Sequence, residues 1–169
     1  MVVFKRRYLL MEILLLGTPW PDLAILTPSI LGSIIQESME VNFGEHGLSS
    51  IINSMQVKYL NPVTGLCLVR CSRDEYHRLW CAITFVSSIR NQPVLFNLLD
   101  LSGNIKTSRK TLVKLEQEKL TLLKLQSKEP LSAESGGDAL SVDLHFHVST
   151  PLILDLSFEV FEYLDFEEL

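Results

Sequence analysis

The sequence contains no run of ~18 uncharged apolar residues, so it holds no helix fit to span a bilayer, and no membrane partner is expected. Its three cysteines, Cys67, Cys71 and Cys81, form no disulfide framework and read as reduced, partly buried thiols of a cytosolic or nuclear protein. It has no Gly-rich phosphate loop and no paired-histidine metalloprotease motif, which removes Walker-type nucleotide binding and zinc proteolysis from the readings. It also has no Lys or Arg beyond Lys128. What is present suits a folded chain: 169 residues, 47% apolar and 21% charged, close to the globular average and unlike disordered, collagen-like or coiled-coil chains. A chain of this length buries roughly 70% of its unfolded surface and needs neither disulfide nor metal to hold a core.

The net charge of −5 conceals a division. Residues 1–128 hold all 15 Lys and Arg and 10 of the acids, a charge of +5; residues 129–169 hold the other 10 acids and no cation, a charge of −10. The first three quarters can meet a polyanion, and the last quarter repels one.

Lys5-Arg6-Arg7 ahead of the apolar run Tyr8 to Leu16 has the outline of a secretory signal. Glu12 interrupts that run, however, and Gly17-Thr18-Pro19-Trp20 is not a small-residue cleavage site. Residues 3–16 read instead as a buried strand with Leu9, Met11, Ile13 and Leu15 on one face. Thr27 and Pro28 are an N-cap and first helical residue, Leu31, Ile34, Ile35 and Met39 form a helical stripe, and Gly44 is its expected stop. A hairpin comes next. Met55, Val57 and Tyr59 alternate with polar residues, Asn61-Pro62-Val63-Thr64-Gly65 turns the chain, and Leu66 to Cys71 returns. Ser72-x-x-Glu75 has the spacing of a capping box for a second helix with stripe Tyr76, Leu79, Trp80 and Ile83, ended by Asn91 and Pro93. Val94 to Leu101 is the last strand, and a helix basic in its first turns runs from about Lys106 to Gln126.

This order predicts an α/β (α+β) domain over residues 1–126. It is an RRM-like, ferredoxin-like sandwich: a four-stranded antiparallel sheet with helices on one face, plus an added C-terminal helix. Residues 127–141 read as a linker and 142–169 as an acidic tail of unknown structure. Period two places Arg6, Tyr8, Leu10, Gln56, Lys58, Leu66, Leu68 and Arg70 on the outer sheet face. An RRM stacks bases on aromatics of its two central strands, yet the third strand here offers only Leu66, Leu68 and Arg70. Exposed Leu66, Leu68 and Leu10 would make an apolar patch for a protein partner or a covering helix.

Candidates for chemistry are thin. Cys67 and Cys71 lie ~13 Å apart along a strand and cannot share one zinc. His145 and His147 share a face of a possible strand but lack a third ligand. Asp74 and Glu75 read as helix-start acids, and Asp100 as a cap for the turn at Gly103. His77 has no identifiable nucleophile to serve. No catalytic residue, metal or cofactor is expected. Two basic clusters remain, Lys5-Arg6-Arg7 and Lys106, Arg109, Lys110 and Lys114. Charge runs are usually solvated surface, but Arg and Lys are also the residues that hold phosphate, and Lys at a helix start opposes the helix dipole unless an anion binds there.

Several stretches together resemble the small Pop-family protein subunits of ribonuclease P and ribonuclease MRP. They are the start from Met1 to Glu12, with Phe4, Lys5, Arg7, Tyr8 and Glu12; Val57 to Asn61 with Thr64-Gly65 and Leu68 to Cys71; Phe96 to Leu99; and Ser102 to Thr107 with Lys110. The likeness covers about residues 1–125, and residues 142–169 lie outside it. It implies an RRM-like fold in a ribonucleoprotein whose RNA performs the cutting through metal ions, so the protein is an accessory subunit and not the enzyme. The implied partners are the catalytic RNA of ribonuclease P/MRP, precursor tRNA or rRNA within the particle, a TIM-barrel-like protein subunit and a small paralogous subunit. The implied location is the nucleus and nucleolus. Candidate RNA contacts carried over from the motifs are Lys5, Arg7, Tyr8, Arg70, Lys106 and Lys110; Arg6 and Arg109 join them from local charge. The expected function is therefore a non-catalytic RNA-binding subunit supporting tRNA 5′-end maturation or rRNA precursor processing. The rival readings are a ferredoxin-like protein–protein interaction module without RNA contact and a small enzyme, for which the residues supply no constellation.

Overall fold

The computed structural model describes residues 5–16 and 26–126. The linker, the tail with His145 and His147, Phe4, and the Gly17 to Pro21 break lie outside the described residues. Eight elements succeed one another: β1 (Arg6–Leu15), α1 (Pro28–Ile51), β2 (Gln56–Leu60), β3 (Leu66–Ser72), α2 (Tyr76–Phe85), β4 (Ser88–Ile89), β5 (Gln92–Ser102) and α3 (Ile105–Gln126). The chain divides into two units, Met1–Lys114 and Leu115–Leu169, with the boundary inside α3; the sheet, the first two helices and the opening turns of α3 belong to the first. No helix among the described residues is long and apolar enough to cross a membrane.

The sheet runs β2-β3-β1-β5-β4 with every pair antiparallel. The four long strands take the expected ferredoxin-like order, but the sheet has five strands, not four. Helix α2 ends at Phe85, well before Asn91, and the chain turns back on itself through Arg90 and Asn91, both with positive φ (49° and 65°). Two residues in that conformation match the twist of a tight hairpin, which pairs Ser88 with Pro93 and Ile89 with Gln92.

The core lies between the sheet and the first two helices. From β1 it takes Leu9, Met11 and Ile13, from β3 Cys67, Val69 and Cys71, from α1 Leu31, Ile35, Met39 and Ile51, and from α2 Leu79, Ala82 and Ile83. Each large aliphatic side chain fully buried there stabilises the fold by ~1.5–3 kcal/mol. Thr27 caps α1 by accepting the Ile30 N–H at 3.3 Å, with Pro28 in the first turn. The Ser38 hydroxyl donates to the Ala82 carbonyl at 2.7 Å and ties α1 to α2.

Four local expectations change. Gly44 interrupts α1 at φ 68° but does not end it; the helix resumes and brings Ile51 into the core. Ser72 forms no capping box, because its backbone is committed to pairing with Arg6 at the end of β3. α2 begins after Glu75, which makes no side-chain cap and instead accepts from Ser50 Oγ at 3.2 Å and Arg78 Nη1 at 3.1 Å. Trp80 is 40% exposed, and the small Ala82 packs where the second helix meets the first. A register shift between Val57 and Tyr59 sends Tyr59 to the outer face, opposite Leu68, and sends Leu60 inward, opposite Cys67.

The middle of the outer face, over β1 and β3, is closed. Leu10 and Leu66 are wholly inaccessible, Leu68 is nearly so, and Tyr8 and Tyr59 are each 8% exposed. Ser108 and Leu112, from the opening turns of α3, are fully buried too. The fold does not present these leucines as an open patch awaiting a partner.

Candidate nucleic-acid interface

The two central strands bring their cations to one end of the sheet. Arg6 pairs with Ser72, Arg7 with Cys71, and Tyr8 with both Arg70 on β3 and Ser102 on β5. Just beyond the last pair, the Lys5 carbonyl accepts the Arg73 N–H at 2.9 Å. Lys5, Arg6, Arg7, Arg70 and Arg73 are thus held on neighbouring backbone positions by sheet hydrogen bonds, so their charges are placed by the fold rather than by flexible loops.

The turn after β5 joins the second cluster to the first. A Cβ at Gly103 would stand 2.8 Å from Arg7 Nη1, so the guanidinium lies directly over the glycine, and the same Nη1 donates to the Arg6 carbonyl at 3.2 Å. Any side chain at position 103 would push Arg7 aside. Asn104 then starts α3: its side-chain oxygen accepts the Lys106 N–H at 2.9 Å, and its carbonyl accepts the Ser108 N–H at 3.2 Å. Ser102 Oγ braces the turn by accepting the Asn104 N–H at 3.2 Å. The first turn of α3 has no acidic residue. Lys106, Lys110 and Lys114 recur at helical spacing on the side opposite buried Ser108 and Leu112, a ridge with a charge about every 6 Å, and half-buried Arg109 lies on its flank.

Of the expected contacts, Lys5, Arg6, Lys106 and Lys110 are exposed, and Arg7, Arg70 and Arg109 are half-buried. Arg70 holds its Nε buried without an acceptor among the described residues, so only its terminal nitrogens can reach a ligand outside the fold. Tyr8 is buried: its ring packs the outer face and offers no surface for a base to lie on. The residue patterns do not single out Arg73, although it lies two residues past the central strand's Cys71 and its exposed side chain belongs to the same end. Glu75, the acid beside Cys71, is occupied by Arg78.

The thiols are not chemistry. Burial pushes Cys67 up to about 12. It pushes Cys71 to about 12 as well, against the pull of the Arg7 guanidinium and with help from Glu75. Such thiols stay protonated and inert at neutral pH, while Cys81 is exposed. Among the described residues no three His, Cys, Asp or Glu side chains converge.

The family model for the Rpp14/Pop5 family matches residues 7–113, from Arg7 in β1 into the first turns of α3. The chain belongs to that family. The matched span takes in the sandwich, Arg7, Arg70, Arg73 and the first turns of α3, and leaves out Lys5, Arg6 and Lys114. A probable ribonuclease P/MRP protein subunit POP5 of Arabidopsis thaliana is 51% identical over 125 residues, covering 70% of this chain and 82% of that protein. The ribonuclease P/MRP protein subunit POP5 of Homo sapiens is 33% identical over 127 residues, covering 73% and 77%. A chain in the cryo-EM structure of yeast ribonuclease MRP has the same fold, with a TM-score of 0.50 over 74% of this chain and 98% of that one at 13% identity. The Arg7–Gly103 contact brings an N-terminal Arg and a distant Ser-Gly-Asn turn onto one surface.

Proposed function

We propose that this chain is a non-catalytic, RNA-binding protein subunit of the ribonuclease P/MRP ribonucleoprotein, supporting tRNA 5′-end maturation, rRNA precursor processing or both. The observation that carries the reading is the basic end of the sheet, where strand pairing and the Arg7–Gly103 contact bring the positions of Lys5, Arg6, Arg7, Arg70, Arg73 and Lys106 to one end. A surface that gathers this many cations against a short glycine turn suits a phosphate backbone. Relatives that are ribonuclease P/MRP subunits by name support the setting. In this reading the cutting belongs to the RNA, the partners are the catalytic RNA, its precursor tRNA or rRNA substrates, a TIM-barrel-like subunit and a small paralogue, and the chain works in the nucleus and nucleolus. The rival reading, a protein-only interaction module, needs an open apolar outer face, and Leu10, Leu66 and Leu68 are buried. Exposed Leu95, Leu99 and Leu101 on β5 are still available for protein neighbours inside the particle.

The test is affinity purification of the tagged full chain from cells, with sequencing of the RNA that comes with it, before and after ribonuclease treatment. The expected result is a discrete structural RNA whose digestion disperses part of the complex. Recovery of the same partners with no RNA, or substrate cleavage by the isolated chain, overturns the reading.

A further inference from the structure

We infer that the basic end binds the sugar–phosphate backbone of folded RNA without reading bases. The inference rests on the proposed RNA-binding role and specifies which part of the RNA that site holds. A sheet of this order can bind RNA in two ways. It can splay single-stranded bases over aromatics on its open face, or it can meet phosphates with charges at its rim. The first route is shut. The two tyrosines on the outer face, Tyr8 of β1 and Tyr59 of β2, are each 8% exposed, and the leucines between them are buried. On the helical side, His77 is already packed on Tyr76 with ring centroids 3.8 Å apart, and the exposed rings of Trp80 and Phe85 lie further along α2 from the end of β3.

The second route is built. Every cation at the sheet rim sits on paired backbone or on the capped first turns of α3, and Lys5, Arg6, Arg73, Lys106 and Lys110 are exposed. Arg7 is held over Gly103, and a pre-set guanidinium is suited to a phosphate at a fixed spacing and cannot follow a mobile base. A ligand recognised this way is defined by where its phosphates lie. It is a structured RNA that presents them in a fixed array, and its base sequence is immaterial to this surface.

The experiment measures binding of the full chain to three RNAs by fluorescence anisotropy in the same buffer. The first is a stable RNA hairpin. The second is a hairpin of the same shape with a scrambled sequence and a loop made of abasic nucleotides. The third is an unstructured oligouridine of equal phosphate count. The expected result is that the two hairpins bind within about twofold of each other and at least about tenfold tighter than oligouridine. Stacked bases contribute enough each that their removal lowers affinity by about fivefold or more. A drop of about fivefold or more on the abasic loop, or oligouridine binding as tightly as the hairpins, therefore overturns the inference while leaving the RNA-binding role intact. Absence of binding to all three overturns both.

Discussion

Removing Lys5, Arg6 and Arg7 together is the sharpest test of the basic end, because the effect is read as a slope and not only as lost affinity. Each phosphate neutralised contributes about 0.9 to the fall of log affinity against log salt on a duplex and about 0.7 on single strands. Lys5 and Arg6 are exposed, and Arg7 is half-buried with its guanidinium fixed over Gly103. If Lys5 and Arg6 alone meet phosphate the slope falls by about 1.8 on a duplex; if Arg7 joins them it falls by about 2.7. The sheet should survive, since the bonds in this segment are backbone ones: the Lys5 carbonyl keeps its Arg73 N–H whatever side chain stands there. The assay is anisotropy titration of an RNA hairpin across roughly 50–300 mM salt, a range in which a slope change of this size is plain. Arg90→Ala serves as the control. Arg90 is exposed in the β4–β5 turn, at the end of β5 remote from Ser102, and should leave the slope unchanged. An unaltered slope in the triple variant, or an equal fall in Arg90→Ala, refutes the placement of the interface.

The same structure sets other outcomes. Leu9→Ala removes a wholly buried side chain from the sheet–helix core and should lower unfolding free energy by about 2–5 kcal/mol, read as an earlier midpoint in urea; a loss under about 1 kcal/mol would mean the site collapses or is not core. Asn104→Ala deletes the acceptor that caps α3 and should cost about 1 kcal/mol. Asn104→Asp should restore stability by favouring the helix dipole while weakening RNA binding, a split that a purely structural residue would not give. With Cys67 and Cys71 raised from 9.0 to about 12 by burial, folding holds their protons where the unfolded chain would lose them. The unfolded thiols ionise around pH 9, so the contribution is fully present well below 9 and is lost as pH climbs toward 12. Alkylation of the native chain at about pH 8, below the ordinary thiol range, should mark Cys81 alone, and denaturant should expose the other two; rapid native labelling of Cys67 would contradict its burial.

How much of this is readable from residues alone depends on range. The β1 face Leu9, Met11 and Ile13, the Thr27 cap and the Asn61 to Gly65 turn are local patterns, and they fold as their spacing dictates. Where a residue serves two patterns, the tertiary claim wins. Ser72 has the right neighbour for a capping box but is needed to pair with Arg6. Tyr59 alternates inward by period two, and one irregularity at Lys58 turns it outward. The two-residue β4 leaves no trace in the sequence pattern because Arg90 takes a positive φ, which nothing in an arginine announces. The site divides the same way. The clusters Lys5-Arg6-Arg7 and Lys106, Arg109, Lys110 are visible as charge. Their union is not, because the glycine that seats Arg7 lies far along the chain and only the β1–β5 pairing brings it there.

That union also explains why a chain with net charge −5 can be matched to a polyanion. At physiological ionic strength a charge is felt over roughly 8 Å, so a phosphate at the basic end responds to Arg7, Arg70, Arg73 and Lys106 and scarcely to a sum over the whole sequence. The acids nearest them cancel only part of this charge. Glu75 is bonded to Arg78 and Ser50, exposed Asp74 beside Arg73 offsets a single cation, and half-buried Asp100, opposite Leu10 and two residues before Ser102, offsets one more. Raising the salt should therefore weaken RNA binding steeply despite the acidic total. If the total governed instead, added salt would screen repulsion and strengthen binding, and the sign of that single dependence decides between the two.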